Sequence, residues 1–108
     1  MNLSESTWVG MFDQPNFGEY PVLLSIRDDH IRIDYPSLPC GGFLAFDKIE
    51  GDIAFLKENL SYGQDRCLGG LEIQISKQDG LLRFAVVLPD GSPGGEDALS
   101  QMPGSRHA

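Results

Sequence analysis

The sequence predicts an all-β domain, an antiparallel meander of about seven or eight strands closed as a small barrel or folded as a sandwich. Two observations carry this. Apolar residues recur at every second position through most of the chain, the periodicity of a half-buried strand. Turn-forming residues break that pattern about every 8–12 residues, the spacing of short strands in an antiparallel meander.

The first strand is placed over 7–13. Tyr20, Val22, Leu24 and Ile26 then alternate with Pro21, Leu23, Ser25 and Arg27. Asp28-Asp29-His30 supplies a turn, after which Ile31, Ile33 and Tyr35 alternate with Arg32 and Asp34, so the pair reads as a hairpin. A further strand is expected over 42–48. The segment 53–60 fits two periods: Ile53, Leu56 and Leu60 suit a helix, while Ala54, Leu56, Glu58 and Leu60 suit a strand. Eight residues are few for a helix and strands flank the segment, which favours the strand. A second hairpin follows. Leu71, Ile73 and Ile75 alternate with polar neighbours, Lys77-Gln78-Asp79-Gly80 carries the Asp-Gly turn signal, and Leu82, Phe84, Val86 and Leu88 return.

At Pro89 the pattern lapses. Asp90-Gly91-Ser92-Pro93-Gly94-Gly95 reads as a turn and 96–102 as a short helix, with Glu96 and Asp97 favourably placed at its N-terminus. Pro103-Gly104 ends it, and 105–108 is expected to fray. The expectation is therefore a single β-domain with a core over about 7–88 and an appended tail over 89–108.

Composition narrows the function. The 108 residues are 41% hydrophobic, which suffices for one core. Sixteen acidic against eight basic side chains leave a net charge of -8, a field that repels phosphate backbones and anionic lipid surfaces. Nucleic acid is therefore not an expected partner. No apolar run approaches the roughly 20 residues needed to cross a bilayer, so membrane insertion is not expected either. Met1-Asn2-Leu3-Ser4-Glu5 has neither a basic region nor an apolar run, so the chain as written reads as cytoplasmic. It would be periplasmic or extracellular if a leader had been removed.

Cys40 and Cys67 are the two cysteines. They lie far apart with no nearby histidine cluster, which does not make a metal site. A disulfide between them would stabilise by about 3–4 kcal/mol on loop-closure entropy; the alternative is a pair of buried thiols in a reducing compartment. Cys40 sits in Tyr35-Pro36-Ser37-Leu38-Pro39-Cys40-Gly41-Gly42, where prolines fix the backbone and Gly41-Gly42 permits positive φ or a close chain approach. With His30 in a turn and His107 in the tail, no histidine is placed to activate a thiol. Cys67 follows Glu58-Asn59-Leu60-Ser61-Tyr62-Gly63-Gln64-Asp65-Arg66. There Glu58 and Arg66 would pair as part of a structural corner, and nothing singles out the second group that general acid catalysis by Glu58 would need. Asp28, Asp29, His30 and Asp34 resemble a divalent-metal cluster, but turns favour that composition in any case. No catalytic residue, metal or cofactor is expected. Of the ten aromatic residues most must be core; Trp8, Tyr35 and Tyr62 are the candidates for binding, Trp8 and Tyr62 because each joins an apolar body to a polar tip.

Trp8-Val9-Gly10-Met11-Phe12-Asp13-Gln14, the Tyr35–Gly42 segment, and the run from Phe55 through Glu58 to Gly63 and Cys67 resemble a family of small uncharacterised bacterial β-domains. That family has a Trp-x-Gly start, a Tyr-Pro-x-x-x-Cys-x-Gly corner and a Glu…Gly-x-x-x-Cys element. The likeness spans about residues 7–88. It implies a strand over 53–60, an exported or membrane-tethered setting and hence a Cys40–Cys67 disulfide, and it implies no catalytic residue.

The function these observations favour is a non-enzymatic binding module, taking an unknown protein on its acidic surface. The alternative is a carrier with a small apolar ligand inside the barrel. A homodimer is plausible, because an open meander leaves edge strands to be covered.

Overall fold

The computed structural model describes residues 5–14, 18–27, 30–67 and 69–102. They form eight antiparallel strands in sequence order: β1 (Ser6–Gln14), β2 (Gly18–Ile26), β3 (Ile31–Tyr35), β4 (Cys40–Glu50), β5 (Ile53–Tyr62), β6 (Glu72–Gln78), β7 (Leu81–Val87) and β8 (Pro93–Gln101). Each pairs with its neighbour, and β8 returns to β1 to close a barrel. Of the two architectures the periodicity allows, this is the barrel. Eight strands give an interior about wide enough for side chains to fill. Leu24, Ile33, Ile73, Leu82, Phe84 and Leu99 are completely buried in it.

The period-two runs map onto the strands as expected, and 53–60 lies within β5. The Asp-Gly signal forms a two-residue turn between Gln78 and Leu81, with positive φ at both Asp79 (52°) and Gly80 (81°). That is the turn whose twist matches the strands it joins. The turn expected at Asp28-Asp29-His30 falls largely outside the described residues, though Arg27 N–H donates to the His30 carbonyl across it at 2.9 Å. Asp28, Asp29, Phe17 and the segment 103–108 with His107 lie outside the description.

The helix expected over 96–102 is instead most of β8, a strand integral to the core. Its register with β7 runs from Val87↔Pro93 to Leu82↔Leu99, and Trp8↔Gln101 and Val9↔Ser100 join it to β1. Asp97 and Glu96 lie opposite Phe84 and Ala85 in mid-strand, and Arg83 holds Glu96 through two hydrogen bonds of 2.7 and 2.8 Å. Tertiary pairing overrides local propensity here, because β7 and β1 each have an edge that only another strand can satisfy. The core accordingly runs through Leu99 and does not stop near residue 88.

Gly41-Gly42 marks a close approach of chains. The β4–β5 register shifts between these glycines, and a Cβ on Gly42 would lie 2.0 Å from the Asn59 carbonyl oxygen and 2.7 Å from the Leu60 Cα. Cys40 is bonded to Cys67, with the Cα atoms 6.4 Å apart. The bridge ties the 36–39 turn to the 63–71 connection, so the two least regular stretches meet at one end of the barrel.

Candidate functional site

At that end the barrel opens into a cavity of about 250 Å³. Its residues come from the ends of strands and the connections between them. Phe12 and Gln14 close β1, Tyr20 opens β2, Tyr35 ends β3 and Leu38 follows in the turn. Glu58 lies on β5, with Arg66, Cys67 and Leu71 in the connection to β6; Val86, Leu88 and Gly94 complete the wall. Beneath them the core is packed: Phe84 meets Phe12 edge-on with ring centroids 5.5 Å apart. The cavity is thus a cup above a filled barrel.

Alternation explains why Glu58 reaches it. Ala54, Leu56 and Glu58 are successive inward positions of β5, all three buried. A carboxylic acid therefore occupies a core position, where desolvation disfavours its charged form. It has one partner among the described residues: the Tyr35 hydroxyl donates to Oε2 at 2.5 Å. Its other oxygen, Oε1, has no partner there, although Oε1 is not sealed from solvent in the way the hydroxyl of Ser76 is. Burial pushes the Glu58 carboxyl above its ordinary range, and the hydrogen bond from Tyr35 offsets this only in part. The same environment raises the tyrosines. Tyr35 is held well above its usual value by burial and then by the nearby Glu58 charge. Tyr20 is pushed up to about 12 for the same two reasons, and its hydroxyl donates to Gln14 Oε1 at 2.8 Å.

Three aromatic rings line the cup around this acid. Phe12 and Tyr20 have centroids 5.7 Å apart and planes inclined by 50°; Tyr20 and Tyr35 repeat the 5.7 Å spacing with an 80° inclination. The disulfide and Leu38 form part of the lip.

The residues singled out from sequence go to different places. Trp8 lies in the core toward the other end of the barrel, 2% exposed, with its indole N–H donating to Ser6 Oγ at 2.9 Å. Tyr35 faces the cup. Tyr62 lies on the outer wall, 37% exposed, donating to Asp34 Oδ1 at 2.5 Å. The three aromatic candidates therefore form no common surface. Glu58 and Arg66 both line the cup, yet Tyr35 rather than Arg66 engages the Glu58 carboxyl, and Arg66 is exposed. Asp34 is held by Arg32 at 2.9 and 3.1 Å as well as by Tyr62, and among the described residues no three His, Cys, Asp or Glu side chains converge as for a metal. Tyr20 and Val86 join the cup from ordinary alternating strands, and Gln14 and Leu38 from within the quoted motifs without having been singled out there. The signal that could have found the site was Glu58 itself, an acid at an inward position of an alternating strand.

A buried acid beside a second buried ionisable group is a condition for acid–base chemistry, and Tyr35 supplies that second group. Its raised pKa, however, leaves it a neutral donor at ordinary pH. The described cup residues bring no histidine, second carboxyl, serine or threonine to Glu58, and Cys67 is tied up in the disulfide. What the arrangement offers chemically is an acceptor oxygen in an apolar, aromatic cup.

Comparison with known proteins finds no matching family model, no matching curated protein and no matching solved structure.

Proposed function

We propose that this domain is a non-enzymatic binding module that takes a compact, apolar-bodied group into the mouth of its barrel. The observation that carries this is the cup, about 250 Å³ above a packed core, with mainly apolar walls and a few converging polar atoms. Sites for small molecules have that composition, and those for drug-sized ligands usually span about 300–1,000 Å³. A volume below that range fits a small ligand or the end of a larger one, and argues against a carrier that swallows its cargo whole. The test is obstruction. Leu38→Trp would place a large side chain at the lip, and a fragment screen read by chemical shifts at Tyr20, Tyr35 and Val86 should give hits that this variant loses. A screen with no saturable hit at these residues would refute the reading.

A second reading, docking of a protein partner on the outer wall, is favoured by one patch. Phe43 and Tyr62, 39% and 37% exposed, flank Arg32, whose guanidinium lies 5.7 and 5.8 Å from their ring centroids. His30 stacks edge-on against Phe43 at 5.5 Å. Exposed aromatics beside arginine are the composition of interface hot spots, and the net charge of -8 favours a basic partner. Phe43→Asp should abolish such docking while leaving fragment binding in the cup unchanged; loss of both would refute a separate outer site. The residue pattern shared with small bacterial β-domains supports an exported or tethered setting, where a disulfide persists.

A further inference from the structure

We infer that the group received in the cup is an organic ammonium on an apolar stem, with Glu58 Oε1 as its counter-ion and hydrogen-bond acceptor. The inference rests on the cup reading above and adds the chemistry of its occupant. Three independent features point the same way. Glu58 is 1% exposed, its Oε2 is engaged by Tyr35, and its Oε1 has no partner among the described residues. Oε1 is not sealed from solvent, so a donor that enters the cup can reach it, and hydrogen bonds between charged groups are among the stronger ones. Next, Phe12, Tyr20 and Tyr35 line the same cup at steep mutual inclinations. Aromatic rings attract cations through their quadrupoles, and rings grouped beside a carboxylate are the chemistry that recognises alkylammonium groups. Finally, the chain carries a net charge of -8, which draws cations toward any opening on its surface.

Arg66 is the one cation among the cup residues, and it is exposed. Solvent screens it, whereas the Glu58 carboxyl lies deep among apolar walls, so the acid sets the sign of the site. The proton balance is simple. Where Glu58 is protonated, entry of an ammonium expels that proton to solvent; where it is ionised, no proton moves. Affinity for ammonium should therefore rise with pH until Glu58 is fully ionised. The titratable or charged groups that face Glu58 in the cup are Tyr35 from β3, Tyr20 from β2 and Arg66 from the β5–β6 connection. Burial lifts both tyrosines above their usual range, so neither tyrosine changes charge in the neutral range.

The test compares n-butylammonium, n-butanol and butyrate on the intact protein, followed by chemical shifts at Phe12, Tyr20 and Tyr35. Butylammonium should bind at least about tenfold more tightly than butanol, the preference of a charge-assisted hydrogen bond, and butyrate should bind most weakly. Glu58→Gln keeps an acceptor for Tyr35 and should bring butylammonium to within about threefold of butanol. Should that variant fail to fold, the three-ligand series on the unaltered chain still decides. Equal binding of butanol and butylammonium would overturn the ammonium assignment and leave the cup reading standing. Tighter binding of butyrate would overturn it in favour of Arg66. Silence from all three ligands would overturn both readings. A doubly capped lysine then separates the sources. If it matches butylammonium, the occupant is a lysine side chain of another polypeptide; if its backbone excludes it, the occupant is a free amine. Either result requires the same Glu58 dependence.

Discussion

Glu58 sits where an alternating strand calls for a leucine, and that placement has a measurable sign. Its folded-state pKa lies above the ordinary value of 4.5, with burial as the main cause. Between the ordinary value and the raised one, the folded chain holds a proton that the unfolded chain has released. Stability from this group is thus present in full below pH 4.5 and declines as pH rises through the folded-state pKa. Thermal melts of the native chain and Glu58→Gln should converge toward acid pH and separate toward neutral, the variant being the more stable there. A native chain that gains stability over Glu58→Gln as pH rises would contradict this account. Glu58→Leu, by contrast, leaves the Tyr35 hydroxyl without an acceptor and should cost about 1–3 kcal/mol, offset in part by the carboxyl no longer buried. A second titration concerns the three tyrosines. Burial lifts Tyr20 to about 12 and holds Tyr35 well above its usual range, while Tyr62 is raised chiefly by its hydrogen bond to Asp34. Ultraviolet titration should therefore show no phenolate forming with the usual midpoint near 10.

The corner joining β3, β4 and the β5–β6 connection depends on two devices. The Cys40–Cys67 bridge spans 27 positions, and loop closure of that length is worth about 3–4 kcal/mol. Reduction should lower the melting temperature by roughly 12–32 °C, since each kcal/mol shifts a domain of this size by about 4–8 °C. Scanning calorimetry with and without reductant checks it. The other device is Gly42, where any Cβ would strike backbone of β5. Gly42→Ala should cost about 3 kcal/mol or more, because backbone cannot swing aside as a side chain does. Denaturant unfolding measures this, and a loss below about 1 kcal/mol would show that the two strands can separate.

The same corner and β8 show what could be read from residues alone. Strands with large apolar residues at every second position, such as β2 and β7, are legible because alternation is a local property. The Gly41-Gly42 approach was legible in kind, since paired glycines between prolines and a strand have few other uses. β8 was not. Its sequence, Pro93-Gly94-Gly95-Glu96-Asp97-Ala98-Leu99-Ser100-Gln101, has a single large apolar residue, Leu99. Its strand character comes from partners at each side, one of them more than eighty positions earlier in the chain. The cup was half legible: Glu58 stood out by its phase in β5, whereas Gln14, Tyr20 and Leu38 reach it through closure of the barrel, which no local pattern encodes.

At the scale of the whole molecule, closure changes the case for self-association. A homodimer was reasonable for an open meander, whose edge strands invite pairing. With β1 and β8 joined, that motive is gone, because a closed barrel has no edge along the seam. The seam is short: two register pairs, reinforced by the Met102 N–H donating to the Thr7 carbonyl at 2.8 Å. Close packing supports it, with Leu99 near enough to Gly10 that a Cβ there would fall 2.7 Å from Cδ2. Gly10→Val should loosen the seam, and hydrogen exchange should then quicken first in β8 and the N-terminal half of β1. Uniform acceleration around the barrel would mean that the seam does not open separately.

Because the first and last strands lie side by side, the order in which the chain visits the eight strands is a choice among equivalents. A short flexible linker could join Met102 to Glu5, since the Met102 N–H already bonds the Thr7 carbonyl, and the circle could be cut anew at the exposed Gly51-Asp52 turn, which is not among the cup residues. Such a rearranged polypeptide would begin on β5, finish on β4, and still draw the same strands around the same cup. Domains whose first and last strands are neighbours in this way are also readily spliced into a surface loop of a host protein, since the host chain can enter and leave close together. The barrel has the connectivity of a cassette: what it binds could be carried into another fold without unthreading either one.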